Sequence, residues 1–297
     1  MAAEIPCPTS DKIGARVRRF YEEVPFPDVP LKRLSSLDEL ETRCGVYAKA
    51  LNREIPDSAR IIDVGCGTGQ LACFLGQRPG RLIVGVDFSL ASLEQGIQLA
   101  SSIGLDNVHF IQADLFNLPF RGAAFDYALC HGVLHHTDDA PGGLAELGRV
   151  LEIGGFASIG LYNSWGRLQH RMRRAIRRMT HGKKDVAPKE FYRKDAASAE
   201  SGTLASWFRD QFEHPHEAPL SIGRAEIWSA WAGLHPFRVL PGPFSRGLGN
   251  GARLFPPGNS GPQFGRSIRN LVSQSVWAIK PRESGYFILI CKKGQPR

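Results

Sequence analysis

The run Asp63-Val64-Gly65-Cys66-Gly67-Thr68-Gly69, with Asp87 downstream, is the densest chemical signal in the chain. Alternating glycines after an apolar stretch let the backbone turn tightly and approach a ligand with no Cβ in the way. In open α/β sheets ligands bind at the carboxyl ends of strands, which is where this run falls. Asp87 ends the next apolar stretch, and an acid there accepts hydrogen bonds from two ribose hydroxyls. A dinucleotide fingerprint would need a third glycine at position 70. Gln70 stands there instead. Asp63 would sit badly beside a pyrophosphate and well beside an ammonium and a sulfonium. A nucleotide-dependent oxidoreductase is therefore the second reading of this site.

Two histidine groups follow. His131, His135 and His136 lie after the fourth apolar stretch, and histidine can serve as a general base near neutral pH. His131, directed toward the cofactor cleft, is the first candidate, and His136 is the second. Packing at the start of the next helix is the competing reading for His135 and His136. His214-Pro215-His216-Glu217 forms the other group. Three such side chains so close in sequence rarely close a metal shell by themselves. We therefore expect no metal, and take Tyr162, His214, His216 and Glu217 as candidate substrate residues.

These residues need strands that end on one edge. Residues 60–64, 82–87, 108–112, 125–130 and 156–161 read as short buried strands. Ser89 is a good N-cap for a helix carrying Leu90, Leu93, Ile97 and Ala100 on one face. Pro141 opens a helix running to Val150. Helices are also expected from Lys12 to Tyr21, from Ser36 to about Arg53, and from Ile222 to Leu234. A sixth strand is read over 236–240, and the last over 285–291. A glycine- and proline-rich stretch covers 241–262. Strands alternating with helices imply an α/β fold with a largely parallel sheet.

At this point a resemblance becomes specific. The run from Asp63 to Gly69 is similar to the first motif of class I S-adenosylmethionine-dependent methyltransferases. Val86-Asp87-Phe88-Ser89 resembles their second motif. Gln112-Ala113-Asp114-Leu115-Phe116-Asn117-Leu118-Pro119-Phe120, with Phe125-Asp126-Tyr127, resembles the third. Cys130 to Thr137 resembles the segment after the fourth strand. The resemblance implies a Rossmann-like fold with a seven-stranded sheet whose last strand is antiparallel, plus a helical cap insertion. It implies S-adenosylmethionine as cofactor. The loop formed by Gly65, Cys66, Gly67 and Gly69 would hold the methionine part, and Asp63 would lie close to it. Asp87 would bind ribose, and Phe88 would pack on the adenine. Asp114 would accept from the adenine amino group, with a strand-end cap as its plainer role, and Leu115 would supply backbone contacts. Cys130 and His131 would line the wall beside the methyl group. Phe20-Tyr21 resembles segments that cap the cofactor in some members, which gives Tyr21 a cofactor contact.

The organisation that follows has four parts. Residues 1–45 form an N-terminal helical cap, and 46–162 the cofactor-binding core. Residues 163–221 form a helical, basic insertion over the substrate, and 222–297 complete the core. The expected reaction is methyl transfer to a nucleophilic atom of a small molecule. A tRNA or other polyanion is the second substrate class, and a non-catalytic binding module is a further rival.

The whole chain sets bounds on partners. Its 297 residues are 42% hydrophobic and 22% charged, ordinary for a globular protein with a sizeable core. Its six cysteines form no CxxC pair, which suits a reduced, cytoplasmic setting. The first residues show neither a basic n-region nor an apolar h-region, so no signal peptide is expected. The formal charge of +8 weakly favours an anionic partner. Ser164 to Thr180 reads as a basic amphipathic helix. Trp165, Leu168, Met172, Ile176 and Met179 make one apolar stripe, and Arg167, Arg171, Arg173, Arg174, Arg177 and Arg178 cover much of the rest. Lys183 and Lys184 follow. This helix could grip a nucleic acid, an anionic substrate or an anionic membrane. The competing reading is a solvated basic face above a stripe buried in the core.

Overall fold

The computed structural model describes residues 12–27, 37–43, 45–180, 201–240, 253–255, 274, 277 and 285–295. Lys183, Lys184 and most of the 241–262 stretch lie outside them.

Five strands carry the parallel part of the sheet: β1 (Arg60–Val64), β2 (Leu82–Asp87), β3 (Val108–Gln112), β4 (Phe125–His131) and β5 (Leu151–Tyr162). β6 (Leu234–Leu240) and β7 (Tyr286–Lys293) complete seven strands in the order β3-β2-β1-β4-β5-β7-β6. β7 is antiparallel to both β5 and β6. The expected α/β architecture with its antiparallel last strand is therefore present. β1, β2 and β4 are buried on both faces, which explains their nearly unbroken apolar runs.

The helices differ from expectation in one instructive place. The single helix read over 36–53 is two: α2 (Leu37–Arg43) and α3 (Val46–Glu54). Gly45 sits between them as an extended N-cap, with φ −64° and ψ 174°. Glycine costs about 1 kcal/mol in a helix interior, so a break there is cheap. α1 (Lys12–Glu23) precedes them. α4 (Gln70–Leu75) and α5 (Leu90–Ser102) follow β1 and β2, and α6 (Ala140–Val150) precedes β5. Ser89 caps α5 by accepting from Ser92 N, and Asp139 caps α6 by accepting from Gly142 N. β5 starts five residues earlier than expected, directly at the end of α6, and pairs with β4 through a register shift near Phe125.

The insertion leaves and rejoins the sheet at one point. Asn163 bridges Leu220, Leu220 N donates to Tyr162 O, and Ser164 N donates to Leu220 O. Between these anchors lie α7 (Leu168–Met179), α8 (Ser201–Phe208) and one π-helical turn, Arg209–Glu213. α9 (Ile222–Trp231), capped by Ser221, then leads into β6.

Candidate cofactor and substrate site

The carboxyl ends of β1, β2, β4 and β5 bring Val64, Asp87, His131 and Tyr162 to one rim. The glycine loop crosses it. Gly65, Gly67 and Gly69 have φ of 72°, 53° and 73°, a region that L side chains rarely adopt. Space forbids a side chain as well: a Cβ on Gly65 would strike Val133, and one on Gly67 would strike the Phe26 carbonyl.

The loop is pinned to β2. Gly65 N and Cys66 N both donate to Val86 O, at 2.7 and 3.1 Å. Gly67 N donates to Asp87 Oδ2 and Ser89 N to Asp87 Oδ1, each at 2.9 Å. Asp63 and Asp87 are both buried. Burial, together with the negative charge of Asp87, raises the Asp63 carboxyl to about 7. Burial raises Asp87 to about 6, against the backbone N–H bonds of Ser89, Gly67 and Phe88 that favour its charged form. The charges that act on this pair are acids, Asp87 on Asp63 and Glu22 on Asp87. Two buried carboxyls of one sign are a poor structural device and a good seat for a cationic ligand.

The N-terminal segment lies against the loop. Thr68 N donates to Phe26 O at 3.4 Å, and Thr68 Oγ1 donates to Pro27 O at 3.1 Å. Glu22 takes up the free amides at the start of α5, accepting from Leu90 N at 2.9 Å and Ala91 N at 3.2 Å. Tyr21 faces Phe88 at 6.4 Å between ring centroids. Residues 201–213 meet the same segment: Phe26 meets Trp207 edge-on at 4.9 Å, and the Tyr21 hydroxyl donates to Asp210 Oδ1 at 2.7 Å. Gln211 Nε2 then donates to both Asp210 Oδ2 and the Tyr162 hydroxyl, at 2.9 and 2.6 Å. Sequence reasoning missed Asp210, Gln211 and Glu22. Their partners lie far away along the chain, and the π turn that points both Asp210 and Gln211 inward leaves no periodic signal.

The histidines fall in two places. His131 Nε2 bonds Ser158 Oγ at 2.8 Å, and its ring meets Tyr47 edge-on. Burial lowers its pKa to about 4, so the ring is neutral. The sequence did not point to Tyr47 or Ser158. His135, His136 and His214 cluster beside Tyr162, with the His136 and His214 centroids 3.7 Å apart. His136 Nδ1 bonds the His216 carbonyl at 2.8 Å. A carbonyl only accepts, so Nδ1 carries the proton. Burial holds the His136 pKa below its ordinary value, so Nε2 keeps a lone pair. His135 Nδ1 accepts from Tyr162 N, and His214 Nδ1 accepts from His216 N. Both therefore carry their proton on Nε2, and both of those N–H groups are buried without a partner among the described residues.

Glu217 and His216 depart from expectation, and other candidates have contacts of their own within the protein. Glu217 is not open to a substrate: it pairs with Arg167 at 2.6 Å and Arg174 at 3.1 Å and is buried with them. Burial pushes the Glu217 carboxyl up, and the two guanidiniums more than offset it. His216 Nε2 is spent on Thr137 O at 3.2 Å. Asp114 Oδ1 accepts from Phe116 N at 3.0 Å, the plainer strand-end role, while Leu115 is buried. Cys130 is buried in the core, and Cys66 Sγ lies against Gly67 O. Part of the basic helix is committed to the protein, while Arg171 and Arg178 stay exposed. Arg167 and Arg174 face inward, Arg167 stacks on Tyr162 at 3.9 Å, and Arg177 pairs with Glu213.

The fold and this rim define an open α/β protein with a glycine loop over two buried acids at the strand ends. Residues 61–155 match the family model described as a methyltransferase domain. The chain is 40% identical over 137 residues to the demethylmenaquinone methyltransferase of Thermus thermophilus, covering 46% of this chain and 60% of that protein. It is 31% identical over 177 residues to an uncharacterized protein of Synechococcus, covering 56% and 41%. The chain thus spans about half the length of the curated relatives it matches. Its fold is similar to that of PKMT2 from Rickettsia typhi in complex with AdoHcy, with a TM-score of 0.57 and 17% identity, over 81% of this chain and 50% of that one. Residues 61–155 thus carry a methyltransferase domain, with the Rossmann-like fold of class I S-adenosylmethionine-dependent methyltransferases. Among the described residues no helix is long and apolar enough to cross a membrane.

Proposed function

We propose that this protein transfers the methyl group of S-adenosylmethionine to an oxygen or carbon of a small aromatic acceptor of the reduced-quinone or phenol class. The observation that carries the reading is the pair of buried acids, Asp63 and Asp87, on adjacent strand ends beneath the glycine loop. Asp63 would attract the cofactor's ammonium, and Asp87 would hold ribose while keeping the loop folded. Phe88 and Tyr21 would flank the adenine. Gly65, Cys66, Gly67 and Gly69 would let the methionine part approach the backbone, and Cys130 and His131 would wall the methyl side. The bound cofactor supplies a methyl group on a sulfonium centre, open to attack by an electron-rich atom.

The protein's own part is alignment, water exclusion and proton acceptance. Phe20, Tyr21, Phe26 and Trp207 roof the site with aromatic surface suited to a flat acceptor. Tyr162 and the unpartnered Nε2–H of His214 would orient its oxygen, and His136 Nε2 would take its proton. Support for the acceptor class comes from the Thermus relative named for a quinone substrate. The 163–221 segment, joined to the sheet at Asn163 and Leu220, would act as the substrate cap, and 1–45 as the cofactor lid.

The test is to measure binding of S-adenosylmethionine, S-adenosylhomocysteine and NAD by calorimetry. Labelled methyl transfer to a short-chain demethylmenaquinol and a panel of phenols is then followed by product mass. Binding of the two sulfur compounds with product from an aromatic acceptor is expected. Binding of NAD alone would overturn the cofactor reading, and methylation confined to tRNA would overturn the acceptor.

A further inference from the structure

Helix α7 is turned inside out. Its polar side is fastened to the protein. Arg167, just before the helix, is 0% exposed and Arg174 6%, and both hold Glu217. His170 Nε2 bonds Gln211 O at 2.6 Å, and Arg177 pairs with Glu213. Its apolar side faces out: Leu168 is 39% exposed, Ile176 43%, Met172 59% and Met179 80%, with Trp165 at 40% in the preceding turn. A surface helix of a globular protein normally does the reverse. The buried ion pairs forbid the helix from rolling over, because that would strand Glu217 without its guanidiniums.

The exposed stripe has a charged border. At about 100° per residue, Arg171 and Arg178 fall on one side of the stripe and Arg173 on the other, each roughly 100° from its centre. Arg171 and Arg178 are exposed, and none of the three pairs with an acid among the described residues. A narrow apolar face bordered on both sides by cations is the form of a helix that lies in a bilayer interface. The apolar residues enter the acyl boundary, and the arginines extend to the headgroups. Trp165 stands where an interfacial aromatic belongs. A second copy of this chain would set two arginine borders of like charge against each other. The cationic border, and the +8 charge of the chain, select a negatively charged surface.

We propose that the outward face of α7 docks this protein on an anionic lipid surface, lying in the interface without spanning it. The tests read lipid binding, so they stand apart from the identity of the methyl acceptor.

The full-length protein is sedimented with vesicles of phosphatidylcholine alone and of phosphatidylcholine with phosphatidylglycerol. Binding is expected to the anionic vesicles and to fall as salt rises. The double variant Met172→Glu with Ile176→Glu should abolish it. Arg171→Gln with Arg178→Gln should weaken it roughly tenfold or more. All four side chains point outward, so circular dichroism and cofactor affinity should match the parent. Absence of binding to either vesicle would overturn the proposal, as would binding that survives the glutamate variant. A concentration-dependent dimer in light scattering, dissolved by the glutamate variant and accompanied by no vesicle binding, would assign the face to a second copy and overturn it too.

Discussion

The amide of Gly67 donates to Asp87 Oδ2 over 2.9 Å, so the acid expected to hold ribose also holds the glycine loop in shape. Its other oxygen accepts from Ser89 N, at the start of α5. One carboxylate thus joins the loop after β1 to the helix after β2. Asp87→Asn should therefore harm binding although it keeps the size, because its NH2 would face one of two N–H donors. A lost charge-assisted hydrogen bond costs about 1.5–3 kcal/mol, roughly tenfold or more in affinity. Calorimetry with S-adenosylhomocysteine checks this. A folded Asn variant with parental affinity would remove Asp87 from both roles.

The proposed seat at Asp63 predicts a cofactor affinity that depends on pH. Its pKa of about 7 means that it is largely protonated at pH 6 in the free protein. A cofactor ammonium favours the ionised form, so binding must release that proton. Affinity should rise by about tenfold per unit from pH 5.5 toward 7, then level off. Asp63→Asn should bind more weakly at pH 7.5 and lose the slope. A parental titration curve in the Asn variant would show that another group sets the dependence.

The proposed lid over the glycine loop is tied down by Glu22, whose two oxygens cap Leu90 N and Ala91 N. Glu22→Ala should loosen it. A lost helix cap costs about 1 kcal/mol. The cofactor should dissociate several-fold faster in stopped-flow displacement, with the melting temperature little changed. An unaltered off-rate would mean that residues 21–27 do not retain the cofactor.

Glu217 distinguishes a structural role from a substrate role. Removing one member of a buried ion pair typically costs about 3–5 kcal/mol, because a charge is left unpaired. Glu217→Ala strands both Arg167 and Arg174, so urea unfolding should show a loss of that order. A raised KM with unchanged stability would restore the substrate role first given to it.

What could be read in the sequence and what could not divides by distance along the chain. The glycine loop, Ser89, Asp87 and the strand alternation are local patterns, and the sheet appears in the expected form. The amphipathic character of α7 is local as well, and its stripe of Leu168, Met172, Ile176 and Met179 was legible. Which side faces the protein was not. That is decided by Glu217 and Gln211, 50 and 44 residues beyond Arg167. The lid contacts of Tyr21 with Asp210, 189 residues apart, are hidden for the same reason. Gly45 was a legible break that the helical pattern around it concealed.

His136 carries the last prediction. Its Nδ1–H is committed to the His216 carbonyl, and burial keeps the ring neutral at pH 7. The Nε2 lone pair is thus held in a fixed direction beside Tyr162 and His214. His136→Asn retains a donor for the His216 carbonyl and removes the lone pair, which separates chemistry from packing. A positioned general base contributes about 10²–10⁴-fold, so kcat should fall within that range while cofactor affinity stays near parental. The sign with pH follows from the lowered pKa: the neutral base is present above it, and activity should decline only as pH drops below the usual histidine range near 6.5. The Asn variant should lose that acid limb. A smaller fall, of a few-fold, with the acid limb intact would mean that the acceptor is electron-rich enough to react without a base. His136 would then serve only to hold the 214–217 loop against the rim.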